Sequence, residues 1–310
     1  MHTILGAGGA IGTDLARALA HHGKSVRIVG RSPRAVNEGD ACIAADLLDA
    51  QQVHRAVEGS EVCYLTVGLQ YDTKVWKAAW PVLMKNVIDA CAHHGSRLVF
   101  FSNVYAIGGD HVRMITEASP VSPTSRKGEI RAGVERMLLD AAGSGRIEAL
   151  IARAPDFFGP VKHTSALMIM IYENLVKGKA AQWFCNADVP HTMGYTPDLA
   201  LGTALLGMER DTFGQIWNLP VPPGPLTGRQ WVAMFAEFLH APSRVQVFPA
   251  WAVKALGVFV PVLRESAEML YQYDRDYIVD AAKFNARFGF TPKTPQEGLR
   301  ETLLALGHAV

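Results

Sequence analysis

Apolar positions in the first hundred residues come in short runs separated by segments of helical period. Thr3-Ile4-Leu5 ends one such run, and from Asp14 to His22 the apolar residues return every three or four positions. The same switch then repeats. Strands are predicted at Ser25 to Val29, Ala41 to Ala45, Val62 to Val67 and Arg97 to Phe101, and helices at Asp49 to Glu58 and Trp76 to His94. Pro81 falls inside the last helix, where a kink or a break is expected. Short apolar runs without polar alternation suit strands covered on both faces. The intervening helices then serve as right-handed crossovers. The expected fold is α/β, a doubly wound parallel sheet of the Rossmann kind, spanning 1–155 with 190–220 returning to it.

Beyond residue 155 the pattern is less regular, as expected of a smaller C-terminal lobe over 156–310. Leu167 to Val176 is apolar at helical spacing, with Met168 and Met170 as packing. Ala181 to Cys185 and Val245 to Phe248 suggest strands; Thr227 to Leu239, Ala250 to Phe259 and Arg264 to Tyr273 suggest helices.

The turn that joins the first strand to the first helix carries glycines 6, 9 and 12. Such a turn lets backbone N–H groups and the positive helix end approach a pyrophosphate. The Gly6-x-x-Gly9-x-x-Gly12 spacing is a variant of the dinucleotide fingerprint, with Gly6, Gly8, Gly9, Ala10, Ile11 and Gly12 around the phosphates. Arg31, Ser32 and Arg34 follow the second strand, where the adenosine ribose is expected, and no carboxylate competes. Cations there suit a 2′-phosphate, so NADP(H) is preferred and NAD(H) stays open. The same residues also fit a solvated basic loop. Asp46 and Leu47, near the adenine, and Val67 and Gly68, near the pyrophosphate, complete the cofactor set.

Composition narrows the function classes. The chain has 310 residues, 49% hydrophobic and 19% charged, with a net charge of +1, which gives no global electrostatic case for nucleic acid or an anionic membrane. No apolar run approaches the length of a membrane span, and no signal peptide precedes the glycine turn, so a cytoplasmic protein is expected. Cys42, Cys63, Cys91 and Cys185 are far apart in apolar surroundings and suggest buried thiols. The eleven histidines form no i,i+4 pair beside a carboxylate, and His21-His22 and His93-His94 suit helix ends; no metal is expected.

Several motifs in order resemble the extended short-chain dehydrogenase/reductases, the NAD(P)-dependent epimerase/dehydratase group. They are the glycine turn, Asp46-Leu47, Phe101-Ser102-Asn103-Val104-Tyr105, Arg153-Ala154-Pro155-Asp156-Phe157-Phe158-Gly159-Pro160, Tyr195-Thr196-Pro197-Asp198-Leu199-Ala200, Asp280-x-x-Lys283 and Phe288-Gly289-Phe290-x-Pro292. The resemblance implies a catalytic Tyr-x-x-x-Lys opening a helix, with a Glu four residues further on. On the helix predicted over Arg126 to Ala142, Glu135 fits that Glu, Arg131 falls where the Lys belongs and Lys127 where the Tyr belongs. Arg131 is suited to hold a ribose. Lys127 could replace the tyrosine as proton donor only where burial and Arg131 favour its neutral form. Both also fit the basic face of an amphipathic helix. Ser102 or Asn103 could polarise a substrate carbonyl, and Tyr105 is a second candidate acid or a packed aromatic. Trp80 aligns with a usual Asn. His191 aligns with an Arg that binds the diphosphate in relatives acting on nucleotide-sugars, and Tyr195 replaces a usual His. A neutral His is a poor diphosphate anchor, which leans away from such substrates.

Three functions remain open on this reading. One is an NADP(H)-dependent oxidoreductase for a small carbonyl or conjugated carbonyl, with the altered pair. Another is a non-catalytic NADP-binding sensor or scaffold. The last is an epimerase or isomerase that recycles its cofactor. The expected partner is a small-molecule substrate; no nucleic acid or membrane is expected, and a homodimer stays open.

Overall fold

The computed structural model describes residues 1–161 and 163–310. They form two compact units, the first made of 1–106, 127–154 and 199–219. Its strands are β1 (His2–Leu5), β2 (Val26–Gly30), β3 (Ala41–Ala44), β4 (Val62–Leu65), β5 (Arg97–Asn103) and β6 (Ala149–Ala154). A seventh strand, Ile216–Asn218, pairs with β6. The order is Ile216–Asn218, β6, β5, β4, β1, β2, β3, and every pairing is parallel. This is a doubly wound Rossmann sheet, as the apolar pattern predicts. The order reverses between β1 and β4, and ligands bind at the carboxyl ends of strands at such a point.

Burial follows position in the sheet. Every residue of β1, β4 and β6 is buried, whereas the edge strand β3 is largely exposed. Its Cys42 is therefore exposed and Cys185 is half-buried, which corrects the expectation of four buried thiols; Cys63 and Cys91 fit it. Two strands escape the apolar pattern. Arg153 interrupts the run of β6, and Ile216–Asn218 is too short to show a period.

Helices α1 (Gly12–His21), α2 (Ala50–Val57), α3 (Thr73–His94) and α4 (Arg126–Gly143) surround the sheet, together with the helix Thr196–Met208, whose Gly207 lies against Tyr64 of β4. The Asp49 carboxylate caps α2 by accepting from the N–H groups of Gln51 and Gln52. Asp72 does the same for α3 through Lys74 and Val75, which starts this helix three residues before its apolar period becomes visible. Pro81 lies inside α3 without ending it, and Gly95 stops the helix in a left-handed conformation at φ 67°.

The second unit comprises 107–126, 155–198 and 220–310. It contains two parallel strand pairs, Ala181–Phe184 with Val245–Phe248 and Asp156–Phe158 with Met193–Tyr195. Its core includes Phe158, Trp183, Trp231 and Phe235, and Met168 and Met170 pack there. The 167–176 segment is a π-type turn at Met168–Tyr172 running into a short helix, Glu173–Leu175. The helix from Ala250 ends at Leu256, and a Cβ on the following Gly257 would stand 2.9 Å from the Arg264 Cα. The continuous helix expected over 264–273 is instead an α-helix, Pro261–Ser266, followed by a 3-10 helix, Ala267–Gln272. Among the described residues no helix is long and apolar enough to cross a membrane.

One titratable group in β1 gives the sheet unit an acid sensitivity. His2 is 2% exposed, and its Nδ1 lies 2.9 Å from the Tyr64 hydroxyl. Burial lowers its pKa from 6.5 to about 4, against a smaller opposing pull from Glu61. A base whose folded pKa is depressed binds its proton more readily when unfolded. Its contribution is therefore complete above pH 6.5 and drains away as pH falls toward about 4. Urea denaturation across that window should show stability falling less steeply in His2→Gln than in the wild type. Parallel slopes would assign the acid loss to other groups.

Candidate functional site

The glycine turn is held by two hydrogen bonds, with the N–H groups of Gly6 and Ala7 donating to the Val29 carbonyl at 2.9 and 3.1 Å. Gly6 and Gly8 take φ of 98° and 97°, which disfavours any side chain, and a Cβ on Gly6 would overlap Val67. A Cβ on Gly12 would come within 3.0 Å of the Ala7 Cα, so α1 starts tight against the turn. Ile11 precedes this helix and offers no side-chain cap. The first-turn N–H groups of α1 are thus available to an anion. Gly8 and Gly9 are exposed and Ala10 half-buried above that end.

Arg31, Ser32 and Arg34 follow just past β2, with Arg31, Ser32 and Arg34 all open to solvent. A Cβ on Gly30 would lie 3.4 Å from the Ala7 carbonyl, an ordinary contact that places the start of this basic loop beside the glycine turn. Asp46 is exposed; its carboxylate accepts from the Leu48 N–H and its own N–H donates to Gln52. Leu47 is buried, with its carbonyl taken by the Asn86 amide at 3.1 Å. Gly68 has open space where a Cβ would stand, past the end of β4. The fold therefore gathers the predicted cofactor residues around the carboxyl ends of β1 to β4.

The catalytic candidates divide into two groups. In the first, Lys127 is fully buried, with Nζ donating to Thr73 Oγ1 at 3.0 Å and lying 4.5 Å from the Tyr71 ring centre. One turn on, the Arg131 guanidinium lies 4.3, 5.0 and 5.3 Å from the rings of Trp80, Trp76 and Phe100. Its Nε and Nη1 are buried and find no hydrogen-bond partner among the described residues. Burial lowers its pKa to about 10, while Glu135 and the nearby Tyr105 favour its charge; it remains a cation at neutral pH. Tyr105 is half-buried and stacks on Trp76 at 6.2 Å and 18°.

The second group faces inward. Ser102 is 2% exposed, and its hydroxyl donates to Glu135 Oε1 at 2.7 Å. Arg153 donates to the same carboxylate through Nη2 at 2.6 Å and Nε at 3.4 Å, with both side chains at most 2% exposed. Asn103 accepts from the Tyr105 N–H at 3.1 Å and so shapes the loop after β5. Ser102 and Asn103 are thus engaged in structure, while Lys127, Arg131 and Tyr105 share one aromatic cluster. Thr73, Trp76 and the Arg153 partnership escape sequence reading, because nothing in local spacing joins residues 18 to 54 positions apart.

In the second unit His191 is 1% exposed. Its Nε2 lies 3.0 Å from Asp156 Oδ2, which also accepts from the Tyr273 hydroxyl at 3.0 Å. Rings of Tyr273 and Tyr277 enclose the imidazole at 4.6 and 4.4 Å. Tyr195 donates to Glu301 at 2.9 Å.

The sequence profile described as the NAD dependent epimerase/dehydratase family matches residues 2–219. Among solved structures, UDP-glucose 4-epimerase of Thermus thermophilus, in complex with NAD, gives a TM-score of 0.79 at 20% identity over 100% of both chains. The dTDP-glucose 4,6-dehydratase DesIV of Streptomyces venezuelae, a double mutant with NAD bound, gives 0.79 at 19% over 98% of this chain and 96% of that one. UDP-glucose 4-epimerase of Thermotoga maritima, with UDP-glucose, gives 0.78 at 18% over 99% and 98%. At such identities the likeness establishes the fold. No curated protein matches the sequence.

Proposed function

The chain belongs to the NAD dependent epimerase/dehydratase family, and from that premise we propose that it is an NADP(H)-dependent oxidoreductase of a small carbonyl or conjugated carbonyl, working through a substituted proton-donating pair. One observation carries the reading: the buried Arg131 guanidinium has unpartnered nitrogens among the described residues, and it and Tyr105 both lie against the Trp76 ring. A buried charged donor left without a partner costs free energy; ribose hydroxyls would satisfy it once the rings of Trp76 and Trp80 that enclose the guanidinium turn aside.

The residues present fit a nicotinamide dinucleotide. The positive-φ glycines and the uncapped start of α1 suit a pyrophosphate, and Arg131 suits the nicotinamide ribose. When bound, the cofactor supplies or accepts a hydride. Tyr105 holds a proton on its phenol oxygen, and the neighbouring guanidinium stabilises the phenolate left when that proton moves to a carbonyl oxygen. Lys127 keeps Thr73 and the Tyr71 ring in place beneath the cluster. Tyr105 is preferred over Lys127 as the acid because it is only half-buried, whereas Lys127 is fully buried.

Two of the structural relatives named above carry NAD, but in this chain residues 31–34, directly after β2, hold Arg31 and Arg34 and no carboxylate. Arg31→Asp should therefore weaken NADPH by about tenfold to a hundredfold, the value of one charge-assisted pair at roughly 1.5–3 kcal/mol, with NADH much less affected. Equal changes for both cofactors in a fluorescence titration would remove the 2′-phosphate assignment. Nucleotide-sugar substrates fit poorly: the His191 imidazole abuts the Asp156 carboxylate, which would repel a diphosphate. A second reading, binding without turnover, draws on the aromatic enclosure of Arg131 by Trp76, Trp80 and Phe100.

A further inference from the structure

Three histidines distant in sequence meet at the ends of two helices. His54 lies in the last turn of α2, and His93 and His94 close α3. One ring nitrogen from each falls within 4.8 Å of the other two. His93 meets His54 and His94 edge to face, with ring centres 5.2 and 4.8 Å apart, and His54 and His94 are tilted at 5.6 Å. The Nε2 atom of His94 is shut off from solvent and has no hydrogen-bond partner among the described residues. A buried polar nitrogen in that state is costly unless something occupies it.

We propose that His54, His93 and His94 form a binding site for a divalent transition-metal ion, which clamps the end of α2 to the end of α3. Three imidazoles select zinc, nickel or copper over magnesium and calcium, which prefer oxygen ligands. Tetrahedral zinc with bonds of about 2.0–2.1 Å holds its ligand atoms about 3.4 Å apart, a gap that modest rotation of the imidazoles closes, with the fourth position open to water. Both helices present their C-terminal ends, where unpaired carbonyls favour a cation. The position separates this site from the cofactor. Each helix ends where the chain enters the next strand, at the amino edge of the sheet, whereas the glycine turn lies at the carboxyl edge. The ion is therefore structural, and its ligands take no part in the chemistry proposed above.

The test is equilibrium dialysis of the metal-stripped full chain against zinc alone, with thermal melts of each sample and magnesium as control. One zinc per chain and a raised melting temperature are expected, and magnesium should produce neither. His54→Gln and His94→Gln should each weaken zinc by about tenfold or more, or about 1.4 kcal/mol, and abolish the rise in melting temperature. His93 is exposed, so His93→Gln gives the same comparison in a variant whose fold is not at stake. A wild type that retains no zinc, or three variants that retain it as the wild type does, would overturn the site.

Discussion

Replacing Tyr105 by phenylalanine is expected to lower turnover by about two to four powers of ten, the usual range for loss of a general acid, and to leave NADPH affinity nearly unchanged. The substitution removes one hydroxyl and keeps the ring that stacks on Trp76. On the proposed mechanism, what is lost is the proton that the phenol hands to the carbonyl oxygen. Arg131→Met should weaken NADPH as well as turnover, because a ribose contact disappears with the charge. Lys127→Met should act far less on turnover. Its ammonium donates to Thr73 inside the protein, and methionine keeps most of its volume. Rapid-mixing kinetics on the three variants separates the roles. A dead Lys127→Met beside an active Tyr105→Phe would place the proton on the lysine.

Glu135→Leu should destabilise the protein by about 3–5 kcal/mol, the cost of stripping a buried charge of its partner. Arg153, 1% exposed, would lose the acceptor for both Nη2 and Nε, and Ser102 would keep only the longer contact of its hydroxyl to the Asn103 carbonyl. Arg131 also draws on the same carboxylate, so two buried cations would be left with less compensation. The double variant Glu135→Leu with Arg153→Met removes both ends of the pair, and most of the loss should return. Urea denaturation of the single and double variants measures this. A double variant as unstable as the single one would show that Glu135 supports something other than Arg153.

The sheet was legible because parallel strands buried on both faces leave apolar runs that need no knowledge of their neighbours. β1, β2, β4 and β5 lie where such runs predict them. β6 hides because Arg153 breaks its run, and that break is tolerable only through Glu135 on α4, a pairing that depends on how α4 packs on the sheet. The glycine turn was legible for a related reason, since its requirements are local: positive φ at Gly6 and Gly8, and a close approach at Gly12. The chemistry beside it is not local. The helical spacing of Lys127 and Arg131 is visible in the sequence. That Arg131 ends among Trp76, Trp80 and Phe100, beside Tyr105, depends on how α3, α4 and β5 pack. The histidines behave likewise. His93-His94 reads as a helix end, and only the packing of α2 on α3 adds His54.

The central claim is that this chain turns over NADPH through Tyr105 and Arg131. Steady-state NADPH oxidation by the wild type, measured against a panel of aldehydes, ketones and enones, tests it most directly. The account predicts oxidation dependent on at least one carbonyl compound and lost in Tyr105→Phe. NADPH that binds tightly yet is oxidised with no member of the panel would contradict it and favour a nucleotide-binding protein without turnover.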